Sequence, residues 1–98
     1  MAVKDKNISE ERIALAARLK ALRTMREWRQ EDVAKRLGWS VNSYGDIELL
    51  RKRVYTQQLL ELATLFDVTP GWLLLGQRGD MKKFMLDAID NSILFNMK

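Results

Sequence analysis

The sequence predicts an all-α domain, and three observations carry that prediction. Apolar residues recur at helical spacing wherever they cluster, and no stretch alternates with the period of two that a half-buried strand requires. Residues 30–48 hold two short helical stripes separated by a glycine and a serine. The chain has 98 residues, enough for one core, and no cysteine. Disulfides and thiolate metal sites are therefore excluded, and the core rests on packing.

Residues 1–8 are polar and read as a flexible N-terminus, where only Val3 and Ile8 could offset the entropy of ordering. Ser9 is placed to cap a first helix from Glu10 to Met25, and Glu10 and Glu11 suit the positive end of its dipole. Leu15, Leu19 and Leu22 give this helix a core stripe. Arg18, Lys20, Arg23, Arg26 and Arg29 border the stripe; they either face phosphate or form a solvated surface. Trp28 is expected to plug the gap between the first and second helices.

In a second helix, Gln30 to Leu37, the residues Val33, Ala34 and Leu37 share one face. Gly38 follows, where a chain leaves a helix with positive φ at least cost. Ser40 can cap a third helix, Val41 to Leu49, whose Tyr44 and Ile47 point back at the second. Ala34 is small enough for the two to cross closely. This order of large, small and glycine positions is the helix-turn-helix arrangement, in which the second of the two helices enters the DNA major groove.

Leu49–Thr56 carries Arg51, Lys52 and Arg53 in succession. Thr56 is expected to cap a fourth helix, Gln57 to Phe66, with Leu59, Leu62, Ala63 and Phe66 on its buried face. Asp67 and Val68 turn the chain, Thr69-Pro70 opens a fifth helix that runs to Leu75, and Gly76 ends it. Beyond a polar connection at Gln77–Asp80, residues Met81 to Met97 again repeat with helical period. The apolar positions there, among them Phe84, Leu86, Ile89, Ile93 and Met97, cover more than half the circumference. Lys83, Asp87, Asp90 and Asn91 share the remaining arc. So wide a stripe points to burial against a second subunit or another protein; the alternative is that it completes the domain's own core.

Charge is unevenly placed. The net is +4, but residues 1–55 hold 13 Lys/Arg against 8 Asp/Glu, a net of +5, and residues 56–98 hold 4 against 5, a net of −1. The basic excess lies with the helix-turn-helix, as a phosphate-binding surface requires. Histidine is absent, which removes the commonest metal ligand and the commonest general base near neutral pH. With no glycine-rich phosphate loop and no carboxylate pair at informative spacing, neither an enzyme nor a cofactor or metal site is expected. No apolar run reaches the roughly 20 residues of a membrane span, and the start of the chain lacks a signal-peptide core. The chain is read as cytoplasmic.

From Arg18 to Gly76 the chain resembles the phage-repressor-like (Xre-type) helix-turn-helix family. The resemblance rests on RLKALR at 18–23, Gln30 at the head of helix 2, VAKRLGWS at 33–40, Ile47-Glu48, LLELATLFDV at 59–68 and TPGWLLLG at 69–76. It implies a five-helix, lambda-repressor-like DNA-binding domain over residues 9–76, here with an additional C-terminal helix in 77–98. Members are dimeric regulators: phage repressors, bacterial transcription factors and antitoxins. By the same resemblance the phosphate clamp falls on Gln30, helped by the backbone amides of its helix N-terminus. Arg51, Lys52, Arg53 and Arg18 are further candidates for phosphate contact. Base readers fall on Ser40, Val41, Asn42 and Asp46, with Ser43 beside them. Asn42 suits adenine N6 and N7, and Val41 a thymine methyl; Asp46 either accepts from cytosine N4 or pairs with a nearby arginine and reads no base.

The chain departs from the family where a glycine usually follows the helix 3 glutamate. Leu49-Leu50 stands there, and the usual proline of the following loop is replaced near Val54. Helix 3 either stops at Leu49 or runs on into Arg51–Arg53. Gly45, inside the reading helix, costs about 1 kcal/mol relative to alanine and is read as room for DNA or as a residue tolerated through packing. Long phage repressors add a self-cleaving oligomerisation domain; residues 77–98 are expected to be a short tail in its place or the remnant of a longer repressor.

The leading expectation is a sequence-specific transcriptional repressor that binds double-stranded DNA, a two-fold operator, as a homodimer. The alternative is an antitoxin-like protein that neutralises a protein partner through 81–97 and autoregulates its operon.

Overall fold

The computed structural model describes residues 8–76. They form α1 (Glu10–Met25), α2 (Gln30–Leu37), α3 (Val41–Glu48), α4 (Thr56–Phe66) and α5 (Pro70–Leu75). No strand occurs among the described residues, so the fold is all-α as expected. The segment 81–97, with Phe84, Leu86, Ile89, Ile93 and Met97, lies outside the described residues.

Local chemistry accounts for most helix ends. Ser9 Oγ accepts from the Arg12 N–H at 3.2 Å and starts α1. Thr69 Oγ1 accepts from the Trp72 N–H at 3.0 Å, with Pro70 at the first helical position of α5. Gly38 takes φ 74° and the Trp39 N–H folds back onto the Ala34 carbonyl at 2.9 Å, closing α2 with a left-handed cap. One core then joins all five helices: Leu15, Leu19 and Leu22 of α1 meet Val33 and Ala34, Tyr44 and Ile47, Leu62 and Phe66, and Trp72 and Leu73. Its largest members are fully buried.

Three ends differ from expectation. Helix α4 begins at Thr56 and is capped by Tyr55, whose N–H donates to Gln58 Oε1 at 3.0 Å. Ser40 occupies the cap position of α3 with extended backbone, but its hydroxyl pairs with Ser43 Oγ and not with a helix N–H. Helix α3 stops at Glu48 and does not continue into the arginines. The reason is Leu50, which adopts φ 64° and lets the Arg51 N–H reach the Asp46 carbonyl at 2.8 Å. A leucine thus takes the left-handed position that glycine usually fills, at a cost of about 1–2 kcal/mol. Its half-buried side chain borders a small cavity with Arg12, Leu15, Ala16 and Ile47.

Trp28 also reaches further than expected. Half-buried at the α1–α2 connection, it meets Phe66 of α4 with ring centroids 6.0 Å apart, and the Arg36 guanidinium lies 4.1 Å from its ring centre. It ties α4 to the connection as well as filling the gap.

Candidate nucleic-acid interface

Helix α3 divides cleanly between inside and outside. Tyr44, Gly45 and Ile47 are buried against α1 and α2, whereas Val41 is 69% exposed, Asn42 is exposed, and Ser43 and Asp46 are half-exposed. With Ser40, also exposed, all five expected base readers come together on one outward surface. Sequence reasoning missed the neighbours of this patch. Lys35, Trp39 and Glu31 line a depression with Val41, and Leu49, 54% exposed, continues the stripe of Asn42 and Asp46 at helical spacing.

What holds that surface in place is Glu48, the last residue of α3. Its side chain is only 4% exposed. Arg23 Nε of α1 donates to it at 2.8 Å and Arg23 Nη2 at 3.1 Å, a two-pronged ion pair. Gln30 Nε2 of α2 donates at 3.0 Å, and the Tyr44 hydroxyl one turn earlier donates as well. Three helices therefore converge on one carboxylate. The pair holds the Arg23 guanidinium above its ordinary pKa, through the bond to Glu48, while burial and the adjacent carboxylate push the Tyr44 phenol far up. Both groups keep one protonation state throughout the physiological range.

Gln30, expected as a phosphate clamp, is half-buried in this joint. Its Oε1 lies 2.8 Å from where a Cβ on Gly45 would stand. Gly45 is thus open toward the Gln30 amide, inside the protein. The expectation that it makes room for DNA is corrected: the packing alternative holds.

The cations sort into two groups. Arg18, expected at phosphate, donates through Nη1 to the carbonyls of Leu73 and Leu74, both at 3.3 Å, and stacks 5.8 Å from the Trp72 ring centre. It closes the negative end of α5. Arg26 does the same for α4, donating to the Phe66 carbonyl at 2.9 Å. Burial pulls both guanidinium groups below their ordinary pKa. Arg51, Lys52 and Arg53 behave differently: all three are exposed. Arg51 and Lys52 are folded back by main-chain bonds onto the Asp46 carbonyl, at 2.8 and 3.3 Å, which holds them at the end of α3. Asp46 Oδ1 lies 3.8 Å from Arg51 Nη1, an arginine near enough to pair with it. Arg51 is 70% exposed, so the pairing is weak. Tyr55, 72% exposed, and Gln58 complete the depression beside these cations. Neither was foreseen, because capping α4 at Tyr55 is what turns its ring outward.

Among the described residues no group of His, Asp and Glu is placed to hold a metal ion, and no helix is long and apolar enough to cross a membrane. Residues 14–73 match a family model described as a helix-turn-helix domain. No curated protein and no solved structure matches the chain.

Proposed function

The chain belongs to the helix-turn-helix domain family, and from that premise we propose that it is a sequence-specific transcriptional regulator of the phage-repressor type. It acts in the cytoplasm as a repressor and not as an enzyme, and it binds a two-fold operator as a homodimer. One observation supports this most directly: the exposed patch of Val41, Asn42 and Asp46 stands beside three exposed cations, Arg51–Arg53, outside the buried joint. In this reading α3 lies in the major groove. Asn42 pairs with an adenine, Val41 meets a thymine methyl, and Asp46 steers Arg51. The Gln30 main-chain amide at the head of α2 and residues 51–53 grip phosphates. Two copies then address half-sites about 34 Å apart.

The test is selection from random duplexes followed by gel-shift titration. Selected sites should be palindromic and saturate at two chains per duplex. With about 6–10 phosphates neutralised per dimer, affinity should fall ~10³–10⁵-fold between low and physiological salt. Asn42→Ala should cost about 1–3 kcal/mol at one base pair and nothing at the others. Equal weakening on every sequence, or binding that ignores salt, would refute the reading.

A further inference from the structure

The first turn of α3 borders a depression that base contacts from α3 alone do not use. Trp39, in the turn between α2 and α3, lines it with Ala34 and Val41, and the exposed Glu31 and Lys35 complete its edge. Its volume, about 430 Å³, admits the edge of a base. We propose that Trp39 is a specificity-determining residue: with Val41 it walls a seat for the C5-methyl group of one thymine in each half-site. This role rests on the regulator reading and adds to it a residue on the turn, held from α4.

Base pairs present hydrogen-bond donors and acceptors to the major groove, and the thymine methyl is the one apolar group that protrudes there. A recess walled by Trp39, Val41 and Ala34 beside the reading helix therefore has one fitting occupant on a duplex. Trp39 itself offers a base no hydrogen bond. Its single side-chain donor, Nε1, is engaged by Glu61 Oε1 of α4 at 2.9 Å. What is left to meet a ligand is ring carbon. The wall is also formed before DNA arrives. The Trp39 main-chain N–H donates to the Ala34 carbonyl at 2.9 Å, and Glu61 Oε2 accepts from Gln57 Nε2 at 3.2 Å. Main chain and ring are thus held from two helices, and a pre-formed seat loses little side-chain freedom on binding. Glu61 is accordingly a positioning residue. The charges at the edge are opposite in sign, and Glu31 lies 3.5 Å from Arg29 Nη2; an uncharged methyl group is repelled by neither.

Deoxyuridine lacks only this methyl group, which makes the test direct. In the duplex selected from random sequence, each thymine is replaced in turn by deoxyuridine in both half-sites, and affinity is read by fluorescence anisotropy. At one position the wild-type chain should weaken about 3–5-fold per half-site, as for one buried methyl group, and ~10–25-fold for the two together. In Trp39→Ala the ratio of affinities for the thymine and uracil duplexes at that position should fall close to one. Each ratio is taken on one protein, so a change in the folded fraction cancels from it. Val41→Ala, at a position 69% exposed, removes the other wall at the surface and should lower the same ratio. Glu61→Leu should lower it too, whereas Glu61→Gln keeps an acceptor oxygen and should retain it. Specific binding that is indifferent to every uracil would overturn the seat and leave the regulator reading standing. A ratio that survives Trp39→Ala would overturn the role of Trp39 and return the methyl group to Val41 alone. Failure to bind any selected duplex would overturn both readings.

Discussion

Replacing Glu48 by glutamine tests the joint on which the whole exposed surface of α3 depends. The substitution keeps shape and volume but removes the charge from a side chain that is 4% exposed. Arg23, whose side chain is 13% exposed, then loses its anion. The donors from Arg23, Gln30 and Tyr44 that converge on two oxygens would meet one oxygen and an amide that itself donates. Breaking one member of a buried pair costs about 3–5 kcal/mol, against a total stability of about 5–15 kcal/mol for a domain. Urea unfolding should therefore show a midpoint drop with an unchanged slope, and heating a fall on the order of 20 °C. The double variant Arg23→Met with Glu48→Gln removes the stranded guanidinium. It should recover about 1–3 kcal/mol relative to additivity, since the two residues are in direct contact. A loss below about 1 kcal/mol in the single variant, or strict additivity in the pair, would show that the joint is not electrostatically coupled.

Gly45→Ala should cost about 0.5–2 kcal/mol in urea unfolding: the gain in helix propensity, about 1 kcal/mol, is outweighed when the new Cβ displaces the Gln30 amide from Glu48. In a Gln30→Ala background the same change should become stabilising, and a sign that does not flip would refute the contact. Glu27 is exposed and holds φ 58° at the end of α1, so Glu27→Gly should raise stability by about 1 kcal/mol and the melting temperature by about 4–8 °C; an unchanged or lower melting point would count against strain there. Asp32 accepts the Arg29 N–H at 2.8 Å, and that bond holds its carboxyl below the usual pKa of 3.8. A lowered folded value makes the contribution fully present above the unfolded pKa and lost as pH falls through the folded one. The stability gap between wild type and Asp32→Asn should hold constant from neutral pH to about 5 and close below about 4. A gap that persists in strong acid would remove the carboxylate from the explanation.

Most helix bounds were legible because their signals are local. Ser9, Gly38, Thr69-Pro70 and Gly76 each act on neighbours within a few positions, and the apolar period identifies the buried face without knowledge of the partner. The end of α3 was not legible. Sequence reading recognises a left-handed cap by its glycine, and Leu50 takes that conformation without one. Glu48 could be placed in a motif but not seen as the meeting point of three helices, since Arg23 lies 25 positions away. Gly45 had the same problem, because the group facing it is on another helix. The outward patch of α3 was legible for the opposite reason: residues 41, 42 and 46 are what remains once Tyr44 and Ile47 are assigned to the core.

The charge asymmetry overstated what a duplex would meet. Residues 1–55 carry a net of +5, yet Arg23 is neutralised by Glu48, and Arg18 and Arg26 hold the carbonyl ends of α5 and α4. Those acceptors lie 40 or more positions away in the chain, so a charge count cannot separate them from solvent-facing cations. A guanidinium that closes a helix end works with the negative end of the dipole and is turned from bulk solvent. Its removal should weaken the fold. The salt dependence expected of DNA binding must then come from residues such as Arg51, Lys52 and Arg53, each worth a slope of about 0.9 per phosphate contacted. Three such contacts on each of two chains reach the lower end of the 6–10 range proposed above, with no help from the arginines of α1. The fold thus spends one set of arginines on its own helix ends and leaves a second, consecutive set beside the bare face of α3.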